Sequence, residues 1–362
     1  MKPQHSSRKL KPFAVLTLML AMVAPSWAGG RWSECLRQPG EWYGTPEARV
    51  IADNVLLYQT VHGGWPKNMD MAAPPSSAEV AKFRDRNARE TTIDNGATTT
   101  QLRFLARVID SERGTDPHKA AFTRGLDYLL DAQYKNGGWP QYFPLKRGYH
   151  TRITFNDGAM IGVLTFLDGI AKGMEPYGFM DAGRRDRSRV AVARGVDCIL
   201  RAQIRQDDKL TAWCAQHDES TLKPAGARDY EPPSLSGSES VGIVRFLMSI
   251  EKPSPEIIAA IEGAVQWFGV VGIRGLRIDV SPGEDGKPDR RAVSDAQAPV
   301  LWARFYEIGT NRPIFMGRDK EIRYDFNEIE RERRTGYAYL GTWPAALLEK
   351  EYPQWKKLNW FP

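Results

Sequence analysis

Two stretches of the chain share one pattern, LLYQTVHGGWPKN at residues 56–68 and LLDAQYKNGGWPQ at residues 129–141. Each stretch runs from an apolar pair through a glutamine into Gly-Gly-Trp-Pro. Glycine adopts the left-handed conformation that ends many helices, and proline cannot continue a helix. A third stretch, ILRAQIRQDDKLTAW at residues 199–213, keeps the beginning and the tryptophan but has a longer polar turn. The three tryptophans are 74 and 74 residues apart, which indicates a repeated structural unit.

Each unit also predicts a second helix, marked by a phenylalanine with a polar residue ten positions before it. Such a polar side chain can accept hydrogen bonds from the free N–H groups of the first helical turn. Paired helices with apolar stripes cannot bury those stripes alone and must pack on neighbouring pairs. The sequence therefore predicts a mainly α fold, a toroid of repeated helix pairs. The four marked positions are Asp94 with Phe104, Asn156 with Phe166, Ser236 with Phe246, and Asp295 with Phe305.

One segment departs from the helical pattern. Within residues 269–295, the sequence from Gly275 to Val280 predicts a short strand and that from Ser281 to Asp289 an exposed loop. No linker is visible elsewhere, so we predict one domain over residues 29–362.

The first 28 residues have the pattern of an export signal. Four basic residues precede an apolar run at residues 13–24, and Ser26-Trp27-Ala28 offers small residues around a cleavage position. The alternative is an uncleaved membrane anchor. Twelve apolar residues are fewer than the roughly 20 that a spanning helix needs. The pattern therefore predicts a signal peptide at residues 1–28 and a location outside the cytoplasm.

Charge and cysteine content exclude several classes of protein. The 362 residues include 50 basic and 44 acidic side chains, and removal of the predicted signal reduces the surplus from 50 − 44 = +6 to 46 − 44 = +2. So small a surplus gives no support to nucleic-acid binding. Three cysteines without Cys-x-x-Cys spacing exclude a disulfide scaffold and a thiolate metal site, although an oxidising compartment would permit one bridge.

Two of the helix starts carry more polar groups than capping requires. Residues 93–97 are Ile-Asp-Asn-Gly-Ala and residues 155–159 are Phe-Asn-Asp-Gly-Ala. If the units stack, Asp94 and Asp157 converge at one end of the toroid, with Glu239 near the same level. Carboxylate and amide oxygens are the ligands that Ca²⁺ prefers. The alternative is that both aspartates only cap their helices.

Arginines lie among aromatic residues and turns in the last third of the chain. Arg228 stands in the segment 227–233, Arg304 in the segment 302–307 on a predicted, mostly apolar helix face, and Arg318 follows a glycine. The planar guanidinium suits carboxylates, so these residues are candidates for binding an acidic ligand. The alternative for each is an ion pair with a neighbouring helix.

Other chemistries have no motif in the sequence. It contains no P-loop, no Gly-x-Gly-x-x-Gly after a strand, no Gly-x-Ser-x-Gly and no His-Glu-x-x-His. Glycoside hydrolysis by a carboxylate pair stays open, as does a non-catalytic protein that binds acidic oligosaccharides. Residues 133–139 are also similar to a repeat of the terpene cyclases, but the Asp-x-Asp-Asp segment expected of those enzymes is missing.

Taken together, the motifs at residues 60–68, 92–98, 137–141, 154–158 and 301–307 resemble polysaccharide lyase family 10, the helical pectate lyases. The similarity spans about residues 50–350. It implies an incomplete α/α toroid with a small β-containing part. It also implies calcium-assisted β-elimination of polygalacturonate to 4,5-unsaturated oligogalacturonides, by a secreted or periplasmic enzyme. We expect a monomer that binds neither nucleic acid nor, after signal cleavage, a membrane.

The resemblance also implies residue roles. Asp94 and Asp157 would hold Ca²⁺ against a substrate carboxylate, Arg228 would be the Brønsted base, and Arg304 and Arg318 would bind uronate carboxylates. An arginine base faces the objection that a pKa of about 12.5 or more leaves almost none of it neutral at pH 7. Nearby cations would lower that pKa, whereas a substrate carboxylate would raise it. The predicted substrate-binding set is completed by Lys67, Asn95 and Arg152.

Overall fold

The structure is a computed structural model that describes residues 31–283 and 285–359. The predicted signal peptide lies outside the described residues. About 47% of the residues are helical, with short 3-10 turns between helices and one π-helical turn near the end. The helices are α1 Trp32–Cys35, α2 Pro46–Tyr58, α3 Ser77–Arg84, α4 Thr99–Asp110, α5 Asp116–Asp131, α6 Ala159–Lys172, α7 Ala182–Ala202, α8 Glu239–Met248, α9 Pro255–Val271, α10 Arg331–Gly336 and α11 Tyr352–Leu358.

The helices of the repeat form two layers. Helices α4, α6 and α8 pack side by side in an inner row, and α2, α5, α7 and α9 form an outer row in chain order. The apolar stripe of α4 is fully inside, with Leu102, Leu105 and Val108 inaccessible to solvent. Pairing of an inner with an outer helix buries stripes that neither helix could bury alone. The predicted incomplete α/α toroid is confirmed.

The repeated tryptophans anchor the turns between the layers. Trp65, Trp139 and Trp213 are completely buried. Each indole N–H donates to a backbone carbonyl near the end of the preceding outer helix, at 2.8, 2.7 and 2.8 Å. Trp302 makes the same bond to the end of α9 at 2.9 Å. It is therefore a fourth copy, which the spacing in the sequence did not indicate.

The repeated glutamines join each unit to the next. Gln59, Gln133 and Gln203 each donate from Nε2 to one carbonyl in their own turn and one on the following outer helix, at 2.6 to 2.9 Å. Two good hydrogen bonds from one buried amide satisfy both N–H groups of that amide. The LLYQ-type pattern therefore holds the outer row together as well as ending a helix.

All strand pairs among the described residues are antiparallel and two-stranded. The longest is a hairpin of β6 Leu276–Pro282 and β7 Pro288–Ser294, so the strand predicted from Gly275 to Val280 is confirmed, and the predicted loop is shorter than residues 281–289. The remaining strands have two residues each: β1 Ile153–Thr154 with β4 Gln216–His217, β2 Arg205–Gln206 with β3 Lys209–Leu210, β5 Leu235–Ser236 with β9 Phe305–Tyr306, β8 Trp302–Ala303 with β12 Leu340–Gly341, and β10 Phe315–Met316 with β11 Ile322–Arg323.

The fourth inner helix predicted between Asp295 and Phe305 is wrong. Arg304 lies between β8 and β9, which pair with the distant strands β12 and β5. Aromatic residues such as Trp302 and Phe305 are favoured in strands when cross-strand partners are present. Those partners come from distant parts of the chain, so the local sequence did not reveal them.

Cys35, Cys198 and Cys214 are all free thiols in the interior, so the one disulfide that the sequence would permit is not formed.

No helix in the part of the chain that the structure describes combines the length and apolar character needed to span a bilayer.

Candidate active site

Two short turns at the starts of inner helices α4 and α6 lie against each other, as predicted. They are the 3-10 turns Asp94–Gly96 and Asn156–Gly158. Asn95 and Asp157 occupy equivalent left-handed positions, with φ of 52° and 50°. Asn and Asp tolerate this conformation better than most residues. Neither α4 nor α6 has a side-chain cap, so the structure does not support the alternative that Asp94 and Asp157 only cap these helices.

Asp94 is the buried carboxylate of this pair of turns. Its residue is 3% exposed, and Oδ2 accepts a hydrogen bond from the Nζ of Lys67. Burial lowers the pKa of Lys67, but the hydrogen bond and charge of Asp94, together with Tyr142, raise that pKa overall. The other carboxylate oxygen, Oδ1, is buried without a hydrogen-bond partner. Since an unpaired buried acceptor is costly, this oxygen is suited to receive a ligand.

Arg304 is brought to the same end of the toroid from the strand region. Its Nη1 lies 2.6 Å from Oε1 of Glu239, the first residue of α8. Burial lowers the pKa of Arg304, but the charges of Glu239, Asp157 and others raise it overall. The rings of Tyr337 and Trp343 lie 5.2 and 5.5 Å from the guanidinium carbon. The expected position of Glu239 is confirmed, and so is the ion-pair alternative for Arg304.

Arg228 stands in a turn that closes on Glu231. The guanidinium donates twice to the Glu231 carboxylate, and the Tyr337 hydroxyl donates to the same carboxylate at 2.8 Å. Glu231 is 8% exposed, which strengthens the pairing. The hydrogen bonds to Glu231 raise the pKa of Arg228 above its ordinary value. The shift is opposite in direction to the one that a base would need.

A group of arginines surrounds two tyrosine rings beside Arg228. Arg318, bound to Glu332 at 2.9 Å, lies 5.2 Å from the ring of Tyr230. Arg333 lies 4.0 Å from that ring and 4.8 Å from the ring of Tyr337. Arg333 is only 4% exposed, although the run of charges around it predicts a solvated surface. Sequence reasoning missed both Arg333 and the tyrosines.

Tyr149 connects the two halves of the site. Burial raises the pKa of Tyr149, whereas the positive charges of Arg228 and Lys67 both lower it. The Tyr149 hydroxyl is therefore within electrostatic range of both cations. Lys67, paired with Asp94, and Arg228, paired with Glu231, therefore both lie near Tyr149, in one polar region.

The two remaining predicted substrate-binding residues, Asn95 and Arg152, lie in different places. Asn95 is exposed, and its Nδ2 donates to Oδ1 of Asn68 at 3.0 Å, beside Lys67. Arg152 binds Asp218 and Glu219 on the loop that leads to Arg228, and these are its described acidic partners. Arg152 thus has no described ion pair with Asp94, Asp157 or Glu239.

The described residues contain no group of three or more His, Cys, Asp or Glu side chains that could hold a metal ion. The two facing turns supply two carboxylates, Asp94 and Asp157, with the side-chain amides of Asn95 and Asn156 next to them. These oxygen donors suit a hard cation. They do not fill its coordination shell, so a substrate carboxylate would have to supply part of it.

The helix pairs thus bring arginines and carboxylates together at one end of the toroid. The Pectic acid lyase family model matches residues 59–348, and the chain therefore belongs to that family. It is a polysaccharide lyase, and the resemblance found in the sequence is confirmed.

Solved structures support the same assignment. The family 10 polysaccharide lyase from Cellvibrio cellulosa shares 36% sequence identity, over 87% of this chain and 95% of that one, with a TM-score of 0.75. A point mutant of a family 10 polysaccharide lyase from the same organism, in complex with trigalacturonic acid, shares 35% identity over 90% and 98% of the two chains, also with a TM-score of 0.75. No curated protein sequence matches the chain significantly.

Proposed function

We propose that the protein is a pectate lyase that cleaves polygalacturonate by calcium-assisted anti β-elimination and releases 4,5-unsaturated oligogalacturonides. The observation that carries this proposal is the convergence of Arg228, Arg304 and Arg318 with Asp94 and Asp157 at one end of the toroid. An anionic substrate would be attracted by the arginines, and the carboxylates would tolerate its approach only with a bound cation. The predicted export signal supports action outside the cytoplasm, as a monomer.

The elimination requires four changes in bonding. The C5–H bond of a galacturonate breaks as its proton passes to the base, the electrons of that bond form the C4–C5 double bond, the C4–O bond breaks, and the departing oxygen takes a proton from water. Negative charge builds up on the C6 carboxylate during this change. Arg304 is fixed by Glu239 and by the carbonyl of Ala338, so its guanidinium is held in position to bind a carboxylate. Arg318, Lys67, Asn95 and Arg152 would bind the neighbouring units.

Ca²⁺ fits the two facing turns because Asp94 has a buried oxygen without a partner and Asp157 is exposed next to it. Asp94 and Asp157 would hold the ion. The chemistry it supplies is neutralisation of the substrate carboxylate. Lys67 already binds the other oxygen of Asp94, so this lysine fixes the carboxylate in position.

Arg228 is the proposed base, and its environment limits when it can act. The Glu231 carboxylate stabilises the charged guanidinium, which cannot accept a proton. When the pH is far below the pKa of a basic group, its neutral fraction grows about tenfold for each pH unit. Base action by Arg228 therefore requires alkaline solution, because Glu231 positions the group but reduces the fraction of it that is neutral.

The reaction is tested by incubating the protein with polygalacturonate and Ca²⁺ and recording ultraviolet absorbance. Elimination creates a conjugated double bond, so the absorbance of the 4,5-unsaturated uronate should rise in step with new reducing ends. Reducing ends without the chromophore would identify a glycoside hydrolase. Binding of oligogalacturonate with neither product would identify a non-catalytic binding protein.

A further inference from the structure

A cleft with a volume of about 250 Å³ adjoins the proposed site at the Asp94–Gly96 turn. Lys67 and Asn95, both assigned to the proposed site, form one wall of this cleft. Trp32 and Leu36 of the first described segment also line it. The family match begins at residue 59, so Trp32 lies outside the matched range. The cleft is therefore continuous with the site but is partly built by a different part of the chain.

The wall that carries Trp32 is fixed to the toroid. The backbone N–H of Trp32 donates to Asp70 at 3.0 Å, and the Trp32 ring lies 5.0 Å from the ring of Phe104 on α4. Tyr43 donates from its hydroxyl to the carbonyl of Cys35 at 3.0 Å, which fixes the end of α1. A preformed wall does not lose conformational freedom when a ligand binds. The segment is thus suited to line a binding site.

The composition of the cleft matches a sugar acid. An aromatic ring offers an apolar surface, while the amides of Asn68 and Asn95 offer donors and acceptors for hydroxyl groups. Lys67 supplies positive charge. Ligand pockets for larger molecules have roughly 300–1,000 Å³, so this smaller cleft is the size of one sugar unit rather than several.

We propose that this cleft, lined by Trp32, Asn68 and Asn95, is an additional subsite that binds one galacturonate unit of a longer substrate chain. The proposal rests on the proposed pectate lyase function, because its occupant is the continuation of that substrate. Short substrates that do not reach the cleft would gain nothing from it. Longer ones would gain affinity through the extra unit.

The test compares kcat/KM on hexagalacturonate with kcat/KM on trigalacturonate. In Trp32→Ala the ratio of the two values should fall about tenfold relative to the parent. Trp42→Ala is the matched control, since Trp42 belongs to the same segment and its ring also packs on Phe104, at 6.3 Å, but it does not line the cleft. A ratio that stays at the parent value in Trp32→Ala, or falls equally in both variants, would overturn the subsite.

A second variant covers the case in which Trp32→Ala fails to fold. Asn68→Asp keeps the size of the side chain at an exposed position with φ of 60° and adds a negative charge to the cleft. It should lower the same ratio, and the effect should shrink at high salt. Asn87→Asp adds the same charge on another exposed loop and should leave the ratio unchanged. Equal ratios in the two Asn variants would contradict the proposal.

Failure of the subsite and failure of the proposed function give different results. The affinity of hexagalacturonate and trigalacturonate can be measured by calorimetry in protein that also carries Arg228→Lys, with or without Trp32→Ala. A Trp32-dependent preference for the longer chain without ultraviolet product in the parent would keep the subsite and reject the lyase. Ultraviolet product in the parent, with a chain-length preference that does not depend on Trp32, would keep the lyase and reject the subsite.

Discussion

At the scale of single residues, the proposed role of Arg228 as the base is the one that its surroundings oppose most. Its guanidinium is held charged by Glu231, yet the proposed role needs a neutral group at the C5 proton. Arg228→Lys keeps the charge but shortens and reshapes the side chain. We expect turnover to fall by about 10²–10⁴-fold while affinity for oligogalacturonate changes little. Steady-state kinetics at saturating substrate and calorimetry measure the two effects separately.

A surface arginine provides the control for this substitution. Arg245 also binds a glutamate through two hydrogen bonds, at 2.7 and 2.8 Å, but its partner Glu351 lies in the C-terminal part of the chain. Arg245→Lys should leave turnover unchanged. Parent activity should also rise with pH. Near-parent turnover of Arg228→Lys at all pH values would remove Arg228 from the base role.

The two aspartates of the facing turns differ in their surroundings but share one predicted effect. Asp94→Asn and Asp157→Asn remove a charge while keeping the shape, and asparagine tolerates the left-handed conformation of residue 157. We expect each substitution to raise the Ca²⁺ concentration for half-maximal activity at least tenfold, with little change in circular dichroism. Activity titrated with Ca²⁺ after chelation measures this.

Asp181 is the matched control because its carboxylate does cap a helix. It accepts from the backbone N–H of Arg184 at 2.9 Å at the start of α7. Asp181→Asn should not change the Ca²⁺ requirement. If all three variants behave alike, the effect at Asp94 and Asp157 is not one of metal binding.

At the scale of elements, the Gly-Gly-Trp-Pro turns depend on contact between successive units. Gly137 has φ of 95°, and a Cβ there would overlap the carbonyl oxygen of Arg194 on α7. Gly148 has φ of 82° with nothing within 4 Å of such a Cβ. Gly137→Ala combines backbone strain with overpacking, so we expect a loss of at least about 3 kcal/mol of unfolding free energy. Gly148→Ala should cost only about 1–2 kcal/mol.

Urea unfolding of both variants measures the difference. Equal losses would mean that the left-handed conformation alone explains the glycine. In that case the close approach of α7 would be irrelevant to the motif, and the repeated glycines would serve only to turn the chain.

At the scale of the whole molecule, stability should depend on pH through a buried histidine. His217 holds the loop before Arg228, and burial lowers its pKa to about 4. The unfolded chain, with an ordinary histidine pKa near 6.5, therefore binds a proton that the folded chain does not. This contribution to stability is complete above about pH 6.5 and is lost between about pH 6.5 and pH 4, up to about 3 kcal/mol.

The titration of His217 should appear in the slope of the unfolding free energy against pH. Urea unfolding at several pH values between 4 and 7 should give a slope that is smaller by about one proton in His217→Gln than in the parent. His62→Gln, outside this loop, is the comparison. An unchanged slope in His217→Gln would show that this histidine is charged in the folded protein or uncharged in both states.

The sequence by itself determined the repeat, the mainly helical toroid and the pairing of the two facing turns. These features follow from short-range rules, namely the period of apolar residues, the residues that end a helix, and the residues that tolerate a left-handed turn. The motifs around Asp94 and Asp157 also carried the family resemblance. Each signal lies within a few residues of the structure that it predicts.

Only the tertiary structure decided how the arginines are used. Arg304 lies between strands rather than on a helix, and its partner Glu239 is 65 residues away. Tyr337 and Glu231 are 106 residues apart. Arg333 is buried by rings from both parts of the chain, and Trp32 and Asn95 line one cleft. Such contacts depend on how distant segments pack, and the chemistry of an ion pair or an aromatic contact leaves no periodic pattern in the sequence.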